Sequence, residues 1–254
     1  MRFRLTAFGL HLLASFSALT LVLGGMYLGW YRWPGWYLSS VAHIIGIVVM
    51  VDLVLGPTLT LVVANANKPR RELTRDIGII VTVQLTALVY GAVTLWLGRP
   101  LYYAFSTDCL QLVQASDFHR DEIAKGRKQN AGLAPYWYSL PRWVWAPLPK
   151  DSATAAKIVR SALSGGQDVI QMPRYFKPWT DGLPSLRDQL KAVDDIRYLS
   201  TPEKQTVKAQ MTRDGFTPDA ANAIIFWGGS RRLIAVLDPA TLQIKALLKP
   251  DSRS

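Results

Sequence analysis

The chain has 254 residues, half of them hydrophobic, and carries 29 Lys and Arg against 18 Asp and Glu, a net charge of +11. Its single cysteine, Cys109, excludes an intramolecular disulfide framework. The basic excess is split: residues 1–100 hold eight cations against three acids, and the remainder hold 21 against 15. Neither part shows a basic helix with interleaved aromatics or a nucleic-acid motif. The charge therefore reads as topology and surface, and no nucleic-acid partner is expected.

The apolar residues are concentrated near the start. Leu5 to Tyr31 contains no Lys, Arg, Asp or Glu, Trp33 to Asn67 contains only Asp52, and Ile77 to Gly98 contains none. Each run is long enough to cross a bilayer, which takes roughly 20 apolar residues. The first is longer than the ~7–15-residue core of a signal peptide and lacks a clear small-x-small cleavage site, so it reads as a retained helix. On it, Gly9, His11, Ser15 and Ser17 form a small and polar set suited to helix packing, with His11 itself expected at the membrane edge. Tyr31-Arg32-Trp33-Pro34-Gly35-Trp36-Tyr37 reads as an aromatic belt with a turn. The second helix is expected over Ser39–Ala64. A basic loop (Lys68, Arg70, Arg71, Arg75) leads to the third, Ile77–Leu97, which contains Gln84, Tyr90 and Gly91 and stops at Gly98-Arg99-Pro100. The positive-inside rule puts the N-terminus and the basic loop in the cytoplasm. The first loop and everything after Arg99 then lie outside, which in a bacterium is the periplasm.

The expected division is a three-helix transmembrane region over residues 1–100 and an α+β periplasmic domain over 101–254. In that domain Tyr102–Ala115 reads as the first strand, and Asp117–Gly126 as a short helix or turn. Tyr136–Trp145 is unusually aromatic and reads as a core strand, with a bilayer or partner surface as the alternative. Helices are expected over Ser152–Leu163, over Leu183–Leu199 from apolar residues at 3–4 spacing, and from Thr201 to about Gly215. Val169–Tyr175 is a short apolar segment. Ala223–Trp227, Leu233–Leu237 and Leu242–Leu248 read as strands, the last two as a hairpin around Asp238-Pro239-Ala240-Thr241.

Little in the sequence suggests catalysis. The three histidines (His11, His43, His119) are scattered, so no Cys/His metal cluster is expected. There is no phosphate-binding or dinucleotide-binding glycine loop and no nucleophile elbow. No spacing singles out a pair among Asp108, Asp117, Asp121, Glu122, Asp194 and Asp195. Cys109 reads as a small apolar strand residue. No catalytic residue, cofactor or metal is assigned, and the chain reads as a non-enzyme.

Asp52 is the exception to an otherwise plain set of spans. A carboxylate at bilayer depth costs about 2.5–3.5 kcal/mol on insertion scales. Pro57, just beyond, removes a helix hydrogen bond. Asp52 is expected to bond Gln84, Tyr90 or a Ser or Thr of a neighbouring helix, or to meet a partner. An Asp52-centred transporter or sensor, and a membrane-bound enzyme acting on an envelope component, are the competing readings.

Ala7-Phe8-Gly9-Leu10-His11-Leu12-Leu13-Ala14-Ser15, then Asp52-Leu53-Val54-Leu55-Gly56-Pro57-Thr58-Leu59-Thr60-Leu61, then Asp76, Gln84-Leu85, Tyr90-Gly91 and Arg99-Pro100, resemble the TfpX/TfpZ family of type IV pilin accessory proteins. The second segment is the most specific. The C-terminal part is similar mainly in Met172-Pro173-Arg174-Tyr175 and Val236-Leu237-Asp238. Where the family tends to have Asp-Arg after the third helix, this chain has Asp108-Cys109. The resemblance implies a multi-pass inner-membrane, chaperone-like factor that helps a cognate type IV pilin accumulate and enter the pilus. His11, Asp52, Gly56, Pro57, Gln84 and Tyr90 are the candidate helix-bundle or pilin-contact residues.

Overall fold

The computed structural model describes residues 1–251. Three helices are long and apolar enough to cross a membrane: α1 (Arg2–Gly29), α2 (Ala42–Val63) and α3 (Arg70–Leu97). The chain divides into two units. One holds Met1–Trp36 and Val41–Gly98; the other holds Tyr37–Ser40 and the chain from Arg99 onward. The second unit is α+β, with a seven-stranded mixed sheet.

In the first unit the helices present apolar side chains outward, as lipid-facing segments do, with Leu10, Leu13, Leu21, Ile47, Val62, Val83 and Val89 all exposed. α3 starts seven residues earlier than the charge pattern predicts. Its first turns carry the basic loop, where Lys68 and Asp76 pair. Of the expected aromatic belt, Tyr31 and Trp36 join a packed cluster with the ends of α1 and α3, while Trp33 is exposed. Tyr31 donates its hydroxyl to the Leu95 carbonyl at 2.7 Å, Trp30 meets Trp96 edge-on with centroids 5.0 Å apart, and Met26, Val41 and Leu95 are buried around them.

The sheet of the second unit runs β4-β3-β1-β2-β5-β6-β7. The expected single strand over Tyr102–Ala115 is two: β1 (Pro100–Ser106) and β2 (Cys109–Gln114), paired antiparallel. Thr107-Asp108 forms the turn, with Thr107 at φ 50°. A 14-residue segment outlasts an ordinary strand of about 5–6 residues, and the polar run Ser106-Thr107-Asp108 near its middle is where it folds back. The aromatic stretch also divides: Tyr136–Leu140 is a loop, and only β3 (Arg142–Trp145) joins the sheet, parallel to β1. β4 (Lys177–Pro178) closes that edge, a two-residue strand too short to read from sequence.

β5 (Ala223–Gly228), β6 (Arg231–Leu237) and β7 (Ile244–Leu248) form an antiparallel meander, with β5 parallel to β2. Consecutive β1 side chains point to opposite faces. Tyr102 packs edge-on against Phe118 and Phe176 on one face; Tyr103 meets Trp143 and Phe226 on the other. At the β5–β6 turn, a Cβ at Gly228 would collide with Leu38, so this glycine lets the Tyr37–Ser40 segment seat there with Tyr37 and Leu38 buried. Ser40 and Ser230 share a hydroxyl hydrogen bond of 3.0 Å, and Arg231 and Lys249 lie over the Tyr37 ring.

The helices of this unit are α4 (Arg120–Gln129), α5 (Ser152–Leu163), α6 (Leu183–Gln189) and α7 (Thr201–Arg213). The helix expected over Leu183–Leu199 therefore stops after α6. Lys191 exchanges both backbone hydrogen bonds with Ala223 (2.9 and 3.0 Å), which diverts the chain to the edge of β5. Leu190, Val193 and Ile196 are buried all the same, so the spacing marked core residues rather than a helix. Val169–Gln171 and Pro173–Tyr175 form two tight 3₁₀ turns.

Glu203 shows how a helix start is tied to the sheet. Its carboxylate accepts from Ser200 N and Oγ, both at 2.8 Å, closing a capping box, and it pairs with Arg232 of β6. Burial pushes this carboxyl up, but the Ser200 amide and the Arg232 guanidinium outweigh it and hold it at about 2, against an ordinary 4.5. A carboxyl depressed in the folded state stabilises above its unfolded value, and that stability is lost as pH falls through the folded one. The stability of the second unit is thus expected to fall between about pH 4.5 and 2 more steeply in the wild type than in Glu203→Gln. Thermal midpoints recorded against pH test this; parallel curves for the two proteins would contradict it.

Candidate functional site

The site is built in the membrane-spanning unit, around a change of pitch in α2. Ala42–Val49 and Gly56–Val63 are α-helical; Met50–Leu55 between them is a turn of π-helix. Gly56 N–H bonds Val51 O, five residues back. The next bond in that register would run from residue 57 to Asp52 O, but Pro57 has no N–H. The Asp52 carbonyl accepts instead from Gln84 Nε2 of α3 at 3.1 Å. Gly56 makes room for this, since a Cβ there would overlap the Gln84 carboxamide. Proline frees the carbonyl, glycine opens the approach, and glutamine satisfies the freed group, as a backbone group at bilayer depth requires.

Gln84 also fixes α1. Its Oε1 lies 2.6 Å from His11 Nε2, so this imidazole nitrogen carries the proton and donates. His11 Nδ1 lies 2.5 Å from Thr60 Oγ1 of α2, and Gln84 Nε2 stands 3.4 Å from Ser15 Oγ. His11, Ser15, Asp52, Thr60 and Gln84 thus form one polar cluster joining all three spans. His11 is a partner in this cluster, not the membrane-edge residue expected of it. Of its predicted face only Ser15, four residues on, joins it. Gly9 and Ser17 sit two residues to either side of that pair, around the helix from it, and are exposed.

Tyr90 is 74% exposed and stands outside the cluster, whereas Gly91, one residue and about 100° further round, packs against Val48. Gly56 and Pro57 are both buried. Thr60 was not singled out by sequence reading. The signal was present, because Asp52, Gly56 and Thr60 fall at i, i+4 and i+8 on one helical face.

The Asp52 side chain differs from its neighbours. The residue is 3% exposed, yet among the described residues neither of its carboxyl oxygens has a hydrogen-bond partner. The expected bonds to Gln84 and Tyr90 are not made: Gln84 bonds the Asp52 backbone, not its carboxyl. Asp52 lines a cavity of about 180 Å³ with Ala14, Ser15 and Ala18 of α1 and Val81, Gln84, Leu85 and Leu88 of α3. The result is a largely apolar groove, with small side chains along α1 and one unsatisfied acid in its lining.

The second unit has a polar cleft of about 210 Å³ lined by Asp108, Gln189, Lys191, Arg197, Tyr198 and β5. It forms where β2 and β5 part, since they pair only at Leu110–Phe226 and Gln111–Trp227. The Cys109 thiol is pushed up to about 12 by burial and by the neighbouring Asp108. Among the described residues, no group of three or more His, Cys, Asp or Glu is placed to hold a metal ion.

The chain is similar to fimbrial assembly proteins of Dichelobacter nodosus. It is 24% identical over 208 residues to the protein of serogroup I, covering 81% of this chain and 79% of the relative. The figures for serogroup E1 are the same. To the protein of serogroups C1 and C2 it is 28% identical over 115 residues, which is 45% of this chain and 88% of that one. No family model matches, and no solved structure matches.

Proposed function

We propose that this protein is a chaperone-like accessory factor of the bacterial inner membrane, of the TfpX/TfpZ type. In this reading it stabilises a cognate type IV pilin before assembly, and it works by binding rather than by catalysis. The names of its relatives support fimbrial assembly as the setting. The observation that carries the mechanism is the groove between α1 and α3 with the unsatisfied Asp52 carboxyl inside it. Small side chains let another helix approach closely, and a buried acid rewards a helix that brings a donor. The groove is therefore the seat for the membrane segment of the pilin. The second unit meets the pilin's soluble head.

The basic residues flanking α1 and α3 support a topology with the N-terminus in the cytoplasm and the second unit in the periplasm. The packing of Tyr37–Ser40 in the same unit as the chain beyond Arg99 supports this, because that topology requires both on one side. The polar cleft of the second unit sets one acid, Asp108, beside Lys191 and Arg197, which favours recognition over an acid–base pair.

Deleting the gene is expected to lower pilin abundance and surface fimbriation, and a photo-crosslinking side chain at Leu85 is expected to trap pilin. Unchanged pilin level and fimbriation in the deletion strain would sink the proposal. A trapped species that is not pilin would sink the role given to the groove.

A further inference from the structure

The loop that follows α4 is locked in backbone and open in side chain. Arg142 donates to Gly132 O and Ala134 O (2.8 and 3.1 Å), Arg127 to Pro135 O (3.1 Å), and Arg99 to Trp137 O (3.2 Å). Ser139 Oγ accepts from Tyr136 N at 2.9 Å, and the Tyr136 and Tyr138 rings stack with centroids 5.6 Å apart. Yet the tip is bare: Trp137 is 71% exposed, Tyr138 59% and Leu140 57%. Three large side chains held rigidly outward in adjacent positions form an interaction surface rather than scattered exposure.

Two observations say what covers it. The first is position. Arg99 follows Leu97, the last residue of α3, by two residues, which puts its Cα within roughly 8 Å of the end of that span. Its guanidinium holds the loop at Trp137. The second is composition. From Ile123 to Lys150 there is no Asp or Glu, while there are five cations: Lys125, Arg127, Lys128, Arg142 and Lys150. Trp and Tyr at the tip of an acid-free, basic segment suit the bilayer interface, where amphipathic rings sit at headgroup level and anionic lipid attracts the cations.

We propose that residues 136–140 are an interfacial anchor: Trp137, Tyr138 and Leu140 enter the headgroup region of the bilayer that α1–α3 cross, and the positive charge of the surrounding segment favours anionic lipid. The anchor limits the motion of the second unit at the membrane surface. It is independent of the fimbrial reading and would serve any partner.

The test uses the full chain in nanodiscs of phosphatidylglycerol and phosphatidylcholine. Tyr138→Cys is labelled with an environment-sensitive fluorophore and compared with a label at exposed Lys157. Native Cys109 is replaced by serine in every labelled variant, so that each label reports one position. Lipids carrying a quencher near the headgroup are expected to dim the Tyr138 label at least about twofold more than the Lys157 label, with a blue-shifted emission. Leu140→Cys is read alongside, so that a folding defect in one variant does not decide the matter. Labels at 138 and 140 no more quenched than at 157 would overturn the anchor and leave the loop to a protein partner.

Discussion

Replacing Glu122 with alanine is expected to destabilise the second unit by about 3 kcal/mol, the largest loss foreseen for a single side chain there. Its carboxylate is 3% exposed and takes the Arg174 guanidinium at 2.9 Å and the Lys125 ammonium at 2.8 Å. Lys125 is half exposed and returns to water without penalty. Arg174, at 18%, does not, so truncation leaves a largely desolvated cation without its counter-charge. The pair also closes a junction. A Cβ at Gly126 would press on Pro173, and Asn130 Nδ2 donates to Pro173 O and Phe176 O at 3.0 and 2.8 Å.

The double variant Glu122→Ala with Arg174→Met removes both charges. It is expected to recover part of the loss, as paired apolar replacements of buried ion pairs do. Chemical denaturation of the full chain in detergent, followed by near-UV circular dichroism, measures this. A Glu122→Ala midpoint equal to the wild type would contradict it.

Met172-Pro173-Arg174-Tyr175 lies at the same junction, where Pro173 packs on α4 and Arg174 pairs across to it. Charge-free runs made the three spans legible, because the cost of a charge in lipid leaves few other sequences possible. Asp52 was legible for the same reason. What Asp52 does was not. Its carbonyl's partner is Gln84 of another helix, met where Met50–Leu55 takes π register, and neither feature is written in the local pattern of α2. In the second unit, apolar spacing found the buried residues but not their backbone. Leu186, Leu190, Val193 and Ile196 are core residues, yet the pairing of Lys191 with Ala223, over thirty residues away, ends the helix. Such non-local hydrogen bonds override a local pattern.

Asp52→Leu is expected to abolish fimbriation while leaving the protein itself as abundant and stable as the wild type. The two effects separate because the Asp52 carboxyl makes no hydrogen bond among the described residues. Leucine removes the insertion cost of about 2.5–3.5 kcal/mol and breaks nothing inside the cluster, since the Asp52 carbonyl keeps its bond to Gln84. Only a partner bringing a donor into the groove loses by the change. Gln84→Leu is the contrasting variant. It strands the His11 Nε2 proton and the Asp52 carbonyl together. At about 0.6–2 kcal/mol for an interhelical hydrogen bond in a membrane, it should lower the stability of the chain itself. Immunoblots of this protein and of pilin, with thermal unfolding in detergent, separate the outcomes. Loss of pilin alone in Asp52→Leu places the carboxyl in a partner site. Loss of this protein as well would make Asp52 a support of its own bundle, and the groove would then have no acid to offer a guest helix.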